Sequence, residues 1–257
     1  MNNPLEPSGA GTETTHFGFR DVPVAEKQKM VGEVFTSVAT RYDLMNDLMS
    51  LGIHRLWKRH FATTARVRAG AKVLDLAGGT GDIASLLYPK LGETGSVVVA
   101  DINAAMLDCG RDRLLDEGKL RRSHFIQANA EALPFADKSF DLVTMAFGLR
   151  NVTDKDAALR SIHRVLKPGG RVMVLEFSQL RPAMLRPAYD WYSFNVLPAL
   201  GSRVAGDADS YRYLAESIRK HPDQATLDEM IAEAGFVLGG HRNLSAGLVA
   251  IHHGVRP

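Results

Sequence analysis

The chain is organised around one stretch, residues 73–82, which reads Val-Leu-Asp-Leu-Ala-Gly-Gly-Thr-Gly-Asp. Its apolar first half is typical of a strand that is buried on both faces of a parallel sheet. Gly78, Gly79 and Gly81 follow, and because they carry no Cβ atom they permit a sharp turn and the close approach of a ligand. The next residues begin a helix whose free N–H groups point back at the loop. The stretch therefore predicts a nucleotide-binding turn after the first parallel strand.

The glycine loop also fits the fingerprint of dinucleotide-binding proteins, through Gly79, Gly81 and Ala84. Asp101 lies twenty residues beyond Gly81, at the end of the second predicted strand. An acidic side chain in this place accepts hydrogen bonds from ribose hydroxyls. A lone glycine fingerprint is weak evidence, so a nicotinamide-dependent reductase stays open as the alternative.

Two acidic residues, Asp75 and Asp82, bracket the glycine loop. A helix N-terminus that binds pyrophosphate favours anions, and a carboxylate beside it would repel them. A cationic ligand with a ribose and no phosphate fits this loop better. S-adenosylmethionine is such a ligand, since it carries a sulfonium, an ammonium and a ribose diol. We therefore expect S-adenosylmethionine as the cofactor.

Composition excludes several classes of protein. The 257 residues carry a net charge of +2, so we expect no nucleic-acid partner. Cys109 is the only cysteine, which excludes an intramolecular disulfide and fits a reducing compartment. Neither His54 nor His60 has a second ligand at metal-binding spacing, and we expect no metal. We find no secretory signal and no apolar run long enough to cross a membrane, and we expect a cytoplasmic protein that meets the inner membrane only at its surface.

Strand and helix patterns alternate from residue 72 onwards, and the chain ends with two strands joined by a short connection. We predict an α/β, Rossmann-like, doubly wound fold with a mainly parallel seven-stranded sheet, an antiparallel C-terminal hairpin and an N-terminal helical lid. The predicted strands are 72–77, 96–100, 123–127, 140–146, 171–177, 236–243 and 247–253, and the predicted helices from the glycine loop onwards are 82–91, 104–117, 154–166, 210–220 and 224–234.

The predicted domain organisation is simple. Residues 1–16, rich in Pro, Gly, Ser and Thr, are predicted to be a flexible tail, and residues 17–257 a single domain. Within residues 41–50, Met45 belongs to one apolar helix face, which favours an amphipathic helix on the sheet. The alternative is a lid over the cofactor, with Tyr42 and Met45 facing it.

Two further blocks follow predicted strands, where loops line the ligand crevice of a parallel sheet. Residues 129–135 begin with Asn129, whose side chain is suited either to read an adenine edge or to form a plain turn before Pro134. Residues 147–154 place Arg150 and Asn151 after the fourth predicted strand, beside a glycine. We expect both side chains at the mouth of the site, although an arginine there is also compatible with a surface charge.

These motifs together resemble the C-methyltransferases of ubiquinone and menaquinone biosynthesis, a family of class I S-adenosylmethionine-dependent enzymes. The glycine loop and the Lys-Pro-Gly-Gly turn are shared by many methyltransferases, whereas Phe-Gly-Leu-Arg-Asn and Leu-Glu-Phe-Ser are far more specific. The resemblance covers roughly residues 16–253. The matching stretches are 34–46, 74–82, 129–135, 147–154, 165–170 and 175–178.

The resemblance implies a set of site residues. Relatives often have Ser where this chain has Ala146, so that contact with the cofactor is lost or made by the backbone. Ala77 stands where the wider methyltransferase pattern has its first glycine. The predicted cofactor contacts are Thr80, Asp101, Asn129, Ala130, Gly79, Gly81 and Asp75, and the predicted catalytic residues are Arg150 and Asn151.

The implied reaction is methyl transfer to a ring carbon of a reduced, polyprenylated quinol. The acceptor is 2-methoxy-6-polyprenyl-benzoquinol, demethylmenaquinol or both, and its hydroxyls supply electron density to the ring. Arg150 is predicted to stabilise a developing phenolate, with water taking the ring proton, since a guanidinium is a poor base. A non-catalytic scaffold and a nicotinamide-dependent reductase are the alternatives. Against the reductase, none of the six tyrosines has a lysine four residues on.

Residues 180–206 interrupt the alternation with three prolines and many apolar and aromatic side chains. One interpretation is that they pack on the sheet or form a dimer contact. The other is a substrate-side insertion that guides the polyprenyl tail and touches an anionic membrane surface, since arginines flank the apolar residues. A homodimer or a complex of quinone-biosynthesis enzymes is left open.

Overall fold

The computed structural model describes residues 14–39, 42–205 and 208–257. The described chain begins with a two-stranded antiparallel hairpin, β1 (Thr14–Phe17) and β2 (Arg20–Pro23). The other strands are β3 (Lys72–Leu76), β4 (Ser96–Asp101), β5 (Ser123–Gln127), β6 (Phe140–Ala146), β7 (Leu166–Phe177), β8 (Val237–Leu244) and β9 (Val249–Val255).

These seven strands form one sheet in the order β5-β4-β3-β6-β7-β9-β8. The first five strands in that order pair in parallel, and β9 pairs antiparallel with both β7 and β8. The predicted mainly parallel sheet with an antiparallel C-terminal hairpin is confirmed. Because β3 has β4 on one side and β6 on the other, the strand order reverses at β3, and ligands bind at such switch points.

Helices cover both faces of the sheet. The segment predicted to interrupt the alternation is helical, with a π-helical turn at Tyr192–Val196 between two α-helices. The helices are α1 (Val24–Val38), α2 (Tyr42–Ser50), α3 (His54–Thr64), α4 (Asp82–Leu87), α5 (Ala104–Asp116), α6 (Lys155–Val165), α7 (Arg186–Trp191), α8 (Leu197–Ala205), α9 (Ala208–Lys220) and α10 (Gln224–Glu233).

The core divides into two layers because successive side chains of a strand point to opposite faces. Val73 of β3 belongs to one layer, with aromatic side chains of α3 and apolar residues of α4, α5 and α9. Leu74 and Leu76 belong to the other layer, against α6 and α10. A small third cluster joins the β1–β2 hairpin to α1 and α9, through Phe17 and Tyr213 among others.

Two boundaries differ most from the sequence-based expectation. Residues 14–16, assigned to the flexible tail, belong to β1, where they pair with β2, and residues 1–13 lie outside the described part of the chain. Strand β7 begins at Leu166 rather than at residue 171, since Leu166 pairs with Phe140 of β6 before an irregularity in the register.

Over the described residues, no helix combines the length and apolar character needed to cross a bilayer.

Candidate active site

A cavity opens at the switch point, at the carboxyl ends of β3, β4, β5 and β6. The loops after these strands form most of its wall, and α1 and α3 complete it. Of the nine predicted site residues, seven line the cavity: Asp75, Gly79, Thr80, Asp101, Asn129, Ala130 and Asn151. Gly81 and Arg150 are the two predicted residues that do not.

The glycine loop is held in a conformation that larger residues do not fit. Gly79 has a φ of +48°, and a Cβ atom there would lie 3.0 Å from Met106 Cε. Gly81 has a φ of +76° and caps α4, and its own Cβ would lie 2.7 Å from Leu114 Cδ1. Gly81 therefore serves the packing of the loop on α5, while Gly79 forms cavity wall.

Asp101 anchors the loop from the neighbouring strand. Its Oδ2 accepts a hydrogen bond from Gly79 N at 2.9 Å, and its Oδ1 accepts from Asn103 N at 2.9 Å. Burial raises the pKa of Asp101 to about 6. A carboxylate offers about four lone-pair positions, so these two bonds leave acceptor capacity for a ribose diol.

Asp75 lies at the bottom of the cavity beneath the loop. Its Oδ1 accepts from Thr144 Oγ1 at 2.8 Å, and its Oδ2 accepts from Ala84 N at 3.1 Å. Burial raises the pKa of Asp75 to about 7. Asp75 thus ties β3 to β6 and to the first turn of α4, in addition to forming part of the wall.

Asp82 does not have the free carboxylate that the sequence led us to expect. Its carboxylate forms ion pairs with Lys58 and Arg113, which hold the pKa of Asp82 below its usual range although burial opposes this. A paired carboxylate repels an anionic ligand much less than a free one. The expectation that Asp82 repels pyrophosphate is therefore wrong, and the choice of cofactor depends on other observations.

Asn129 combines the two interpretations that the sequence left open. Its Oδ1 accepts from Glu131 N at 3.0 Å and so caps the 3-10 turn Ala130–Ala132. Asn129 and Ala130 nevertheless both line the cavity. The turn therefore borders the cavity, and Asn129 remains a predicted adenine contact.

Arg150 and Asn151 separate in the structure, although both were expected at the mouth of the site. Asn151 lines the cavity and its Oδ1 accepts from Tyr213 Oη at 3.1 Å. The Arg150 side chain is 1% exposed, and its Nη1 donates to Glu176 Oε1 at 2.9 Å. The prediction that Arg150 lies at the mouth of the site is wrong, because its guanidinium is buried in an ion pair with Glu176 at the end of β7. Its role in catalysis stays a prediction.

The N-terminal cover is formed by α1. Gln28, Val31 and Phe35 of α1 line the cavity, and Asn103 Nδ2 fastens the helix by donating to Gly32 O at 2.9 Å. Met45 of α2 is buried in the core and is not part of the cavity wall, and the Tyr42 side chain lies outside the described residues. Sequence reasoning missed the α1 residues, although their helical spacing was visible.

Two residues with side chains adopt left-handed backbone conformations at the cavity. Ala77 has a φ of +51° and Phe147 a φ of +57°, which non-glycine residues adopt at an energetic cost. A Cβ atom on Gly148 would lie 2.4 Å from Ala77 Cβ, so the loops after β3 and β6 are in close contact there. Such strain is concentrated at functional sites.

The residues present fit S-adenosylmethionine. Gly79 leaves space for a ligand beside the loop, the carboxylate of Asp101 suits a ribose diol, and Asn129 suits an adenine edge. Lys58 adds a cation to the wall and Glu131 an anion, which suits a ligand with both an amino and a carboxylate group. Lys58 and Glu131 were not predicted, although Glu131 lies in the block 129–135 that drew attention to Asn129 and Ala130.

Comparison with known proteins is consistent with this geometry. Residues 23–256 match the model of the ubiE/COQ5 methyltransferase family. The chain is 62% identical over 252 residues to the ubiquinone/menaquinone biosynthesis C-methyltransferase UbiE of Xylella fastidiosa strain M23, covering 98% of this chain and all of the relative. It is 63% identical over 243 residues to the protein of the same name in Xanthomonas oryzae pv. oryzae, covering 95% of this chain and 96% of the relative.

Solved structures share the fold at low identity. A SAM-dependent methyltransferase from Aquifex aeolicus superposes with a TM-score of 0.61 at 15% identity, over 86% of this chain and 98% of that one. A SAM-dependent methyltransferase from Thermotoga maritima, described as a possible histamine N-methyltransferase, superposes with a TM-score of 0.61 at 17% identity, over 88% of this chain and 99% of that one. The family match spans nearly the whole chain, and the protein belongs to the ubiE/COQ5 methyltransferase family.

Proposed function

We propose that the protein transfers the methyl group of S-adenosylmethionine to a ring carbon of a reduced, polyprenylated quinol. The observation that carries this proposal is the near full-length match to C-methyltransferases of ubiquinone and menaquinone biosynthesis. The acceptor is 2-methoxy-6-polyprenyl-benzoquinol, demethylmenaquinol or both. The cavity supports the proposal, since its wall extends from the glycine loop to the Asn151 loop.

The bound cofactor supplies an electrophilic methyl group on a sulfonium. The chain's own contribution is to position the ring carbon in line with that methyl, because proximity and orientation supply much of the rate acceleration. Asp101 and the glycine loop position the cofactor, and α1 forms part of the wall that covers the cavity. Asn151 lies at the cavity wall with its orientation set by Tyr213, and we propose that its amide contacts the acceptor.

Arg150 has a different role in this proposal. Its guanidinium is paired with Glu176, and its backbone N–H donates to Glu176 Oε2 at 3.2 Å. We propose that Arg150 is a positioning residue that fixes the loop carrying Asn151. Lysine cannot reproduce these contacts, so Arg150→Lys should lower kcat and change the pH profile. An unchanged rate and profile would remove Arg150 from the mechanism.

The segment 180–206 supports contact with a membrane surface. Trp191 is 63% exposed and Met184 is 85% exposed, while Leu197 is buried in the core. Phe194, by contrast, packs against Phe19 with ring centroids 5.9 Å apart. The segment is thus anchored by its inner face and presents apolar side chains outward. We propose that these outward side chains meet the bilayer in which the substrate's tail lies.

A turnover assay tests the reaction. The purified chain is given S-adenosylmethionine with a chemically reduced demethylmenaquinol or benzoquinol, and the methylated product is followed by mass spectrometry. We expect product with reduced substrate and none with the oxidised quinone, because only the quinol is electron-rich. Calorimetry should show binding of S-adenosylhomocysteine and none of NADH. Binding of NADH without methyl transfer would favour the reductase.

The membrane proposal has its own assay. Replacing Trp191 and Met184 with Ser should raise the KM for a long-tailed quinol and leave that for a tailless analogue unchanged. As the control, Leu115→Ser alters a side chain that is 58% exposed on α5. Equal losses with both substrates would show that the segment has a structural role.

A further inference from the structure

A group of exposed aliphatic side chains lies where the chain passes from α2 into α3. Leu51 is 77% exposed, Leu56 is 61% exposed and Ile53 is 41% exposed. Ile53 and Leu56 are three residues apart at the start of α3, so their side chains are neighbours on one helix face. Single exposed apolar side chains are common, whereas a group of them marks an interaction surface.

The turn before α3 holds Leu51 in a strained conformation. The φ of Leu51 is +50°, in the left-handed region that residues with a Cβ atom adopt at an energetic cost. The turn is tied on both sides, since Gly52 N donates to Asp47 O at 3.0 Å. The Asp47 carboxylate also pairs with His54 Nε2 and Arg55 Nε, both at 2.9 Å. Strain that the surroundings hold in place is concentrated at functional sites.

The same part of the chain is basic. Residues 48–74 contain four arginines and two lysines, and no aspartate or glutamate. Arg55 has the acidic partner just described, and Arg59, Arg66 and Arg68 are exposed. The outer face of α3 therefore presents positive charge beside aliphatic side chains. We call Leu51, Ile53, Leu56 and Arg59 the α3 surface.

Helix α3 separates the α3 surface from the cavity. Trp57, Lys58 and Phe61 are buried on the inner side of the helix, and Lys58 lines the cavity. An α-helix with its side chains is about 10–12 Å across, so a partner on the outer face lies about one helix diameter from the cavity. Helix α2, which precedes the α3 surface, also packs against α8 of the segment 180–206. The α3 surface and that segment are therefore linked through α2.

The chemistry of the α3 surface favours one kind of partner. A two-fold dimer brings the same surface of both copies together, which would place basic face against basic face. A nucleic acid would pair with the arginines, but exposed aliphatic side chains gain little from a phosphate backbone. An anionic bilayer accommodates both parts, because aliphatic side chains enter the acyl boundary while arginines lie at the headgroups.

We propose that the α3 surface docks on an anionic lipid bilayer. Leu51, Ile53 and Leu56 enter the interface, and Arg59 contacts the phosphates of the headgroups. Docking brings the cavity close to a quinol whose polyprenyl tail lies in the membrane. This role rests on the proposed function, whereas the binding to lipid does not require it.

Vesicle binding tests the α3 surface directly. The full chain is sedimented with vesicles of equal parts phosphatidylglycerol and phosphatidylcholine, and with vesicles of phosphatidylcholine alone. We expect binding to the anionic vesicles that weakens as the salt concentration rises. The double variant Leu51→Asn with Leu56→Gln should weaken this binding about tenfold, since it removes two inserted side chains. Asparagine tolerates a positive φ and glutamine suits a helix, so the variant should fold.

The chain offers a closely matched control for this double variant. Leu238 is 78% exposed with a φ of +51°, and Leu115 is 58% exposed on α5. Near Leu238, β8 pairs with Val255, which lies beside the amino-terminal part of β7, so this leucine is at the end of the sheet opposite to the cavity. Leu238→Asn with Leu115→Gln makes the same chemical change elsewhere and should leave vesicle binding unaltered.

Arg59→Gln tests the charge separately. One basic residue at an anionic surface contributes about fivefold in binding, so this variant should weaken binding to the anionic vesicles by about that factor. Arg121→Gln, at an exposed position before β5, is the control and should have no effect. Equal losses in the two arginine variants would show that overall charge, rather than the α3 surface, attracts the protein to lipid, and would overturn the proposal.

Three further results would overturn the proposal. The first is wild-type protein that does not bind the anionic vesicles. The second is equal vesicle binding by the Leu51→Asn, Leu56→Gln variant and its matched control. The third is a wild-type dimer in sedimentation equilibrium that this variant dissociates, since a second copy would then cover the α3 surface.

Turnover separates this inference from the proposed function. With a tailless reduced quinol and no vesicles, the Leu51→Asn, Leu56→Gln variant should match wild type, because both positions lie outside the cavity wall of the described chain. With a long-tailed quinol in anionic vesicles, its KM should rise about tenfold. Turnover of the tailless quinol without vesicle binding would overturn the docking surface and leave the methyltransferase function intact. Vesicle binding that depends on the α3 surface, without methylation of either quinol, would support the docking surface and remove the proposed reaction.

Discussion

Two regions around the cavity contain buried charge of opposite sign, and they differ in how that charge is compensated. We call them the cofactor half, at the carboxyl ends of β3 and β4, and the acceptor half, beside the Asn151 loop. In the cofactor half, both oxygens of Asp75 and Asp101 accept hydrogen bonds from the fold, and Asp82 has two cationic partners. In the acceptor half, Lys27 and His221 have nitrogens without partners in the described part of the chain.

This difference in compensation shows how far each half is preorganised before a ligand binds. The acids of the cofactor half act as structural ties between strands and loops, so that site is formed in the absence of ligand. In the acceptor half only part of the buried charge is compensated within the described residues. Glu176 is the compensation that the fold does provide, since it pairs with Arg150 at 1% exposure of both side chains.

Removing the carboxylate of Glu176 should have the largest effect on stability. Glu176→Gln leaves Arg150 buried and charged without its partner, and we expect the free energy of unfolding to fall by about 3–5 kcal/mol. Urea denaturation measures the change. The matched control is Asp137→Asn, which breaks the exposed pair with Arg164 and should cost about 0–1 kcal/mol. A loss for Glu176→Gln as small as the control's would mean that the acceptor half tolerates further uncompensated charge.

Asp101→Ala tests the cofactor half. It removes a charged acceptor, and we expect the affinity for S-adenosylmethionine to weaken by about 1.5–3 kcal/mol. Calorimetry with S-adenosylhomocysteine measures this, and Asp116→Ala, at the exposed end of α5, is the control. Unaltered cofactor affinity in a folded Asp101→Ala protein would mean that the glycine-loop site is misassigned.

The sequence was most informative about the cofactor half. Strands 123–127 and 140–146 were predicted with the bounds that the structure has, and 140–146 is the mainly apolar run that is typical of a buried parallel strand. The glycine loop and Asp101 follow a local pattern in which spacing along the chain determines position in space. The positions of Gly79, Thr80 and Asp101 at the cavity therefore follow from the amino-acid sequence alone.

The acceptor half could not be predicted in the same way. Its groups come from four distant parts of the chain, α1, the loop after β6, the start of α6 and the end of α9, and only the tertiary fold brings them together. Arg150 was expected at the mouth because the sequence does not show that Glu176, 26 residues later, is its partner. Pairing between a loop after one strand and the end of the neighbouring strand depends on the sheet's strand order and register, which local patterns do not encode.

The next largest effect is expected where the loops after β3 and β6 are in contact, at Ala77 and Gly148. Gly148→Ala puts a Cβ atom 2.4 Å from Ala77 Cβ, and we expect a loss of stability of about 1–3 kcal/mol from overpacking. Ala77→Gly removes the opposing Cβ and also relieves the φ of +51°. The double variant should therefore be more stable than Gly148→Ala alone, in a double-mutant cycle followed by thermal denaturation. Strict additivity would show that the two loops do not touch.

The smallest effect is the pH dependence of the cofactor half. Burial raises the pKa of Asp75 to about 7 and that of Asp101 to about 6, both from 3.8. The folded protein therefore binds more protons than the unfolded chain between about pH 4 and pH 7, and these two groups make stability fall as the pH rises through that window. Buried histidines with lowered pKa, such as His252, act in the opposite sense, so the difference between variants is the quantity to measure.

Asp75→Asn isolates this contribution. The asparagine Oδ1 can accept from Ala84 N, and its amide can donate to Thr144 Oγ1 once that hydroxyl turns toward Leu74 O, 3.5 Å away. Urea denaturation at about pH 5 and pH 7.5 should show a smaller decline in the variant than in wild type, with Asp116→Asn as the exposed control. Affinity for S-adenosylhomocysteine should rise over the same interval in Asp75→Asn, because the ionised Asp101 is the stronger acceptor for ribose hydroxyls. If stability declined equally in Asp75→Asn and in wild type, Asp75 would not be one of the groups that titrate.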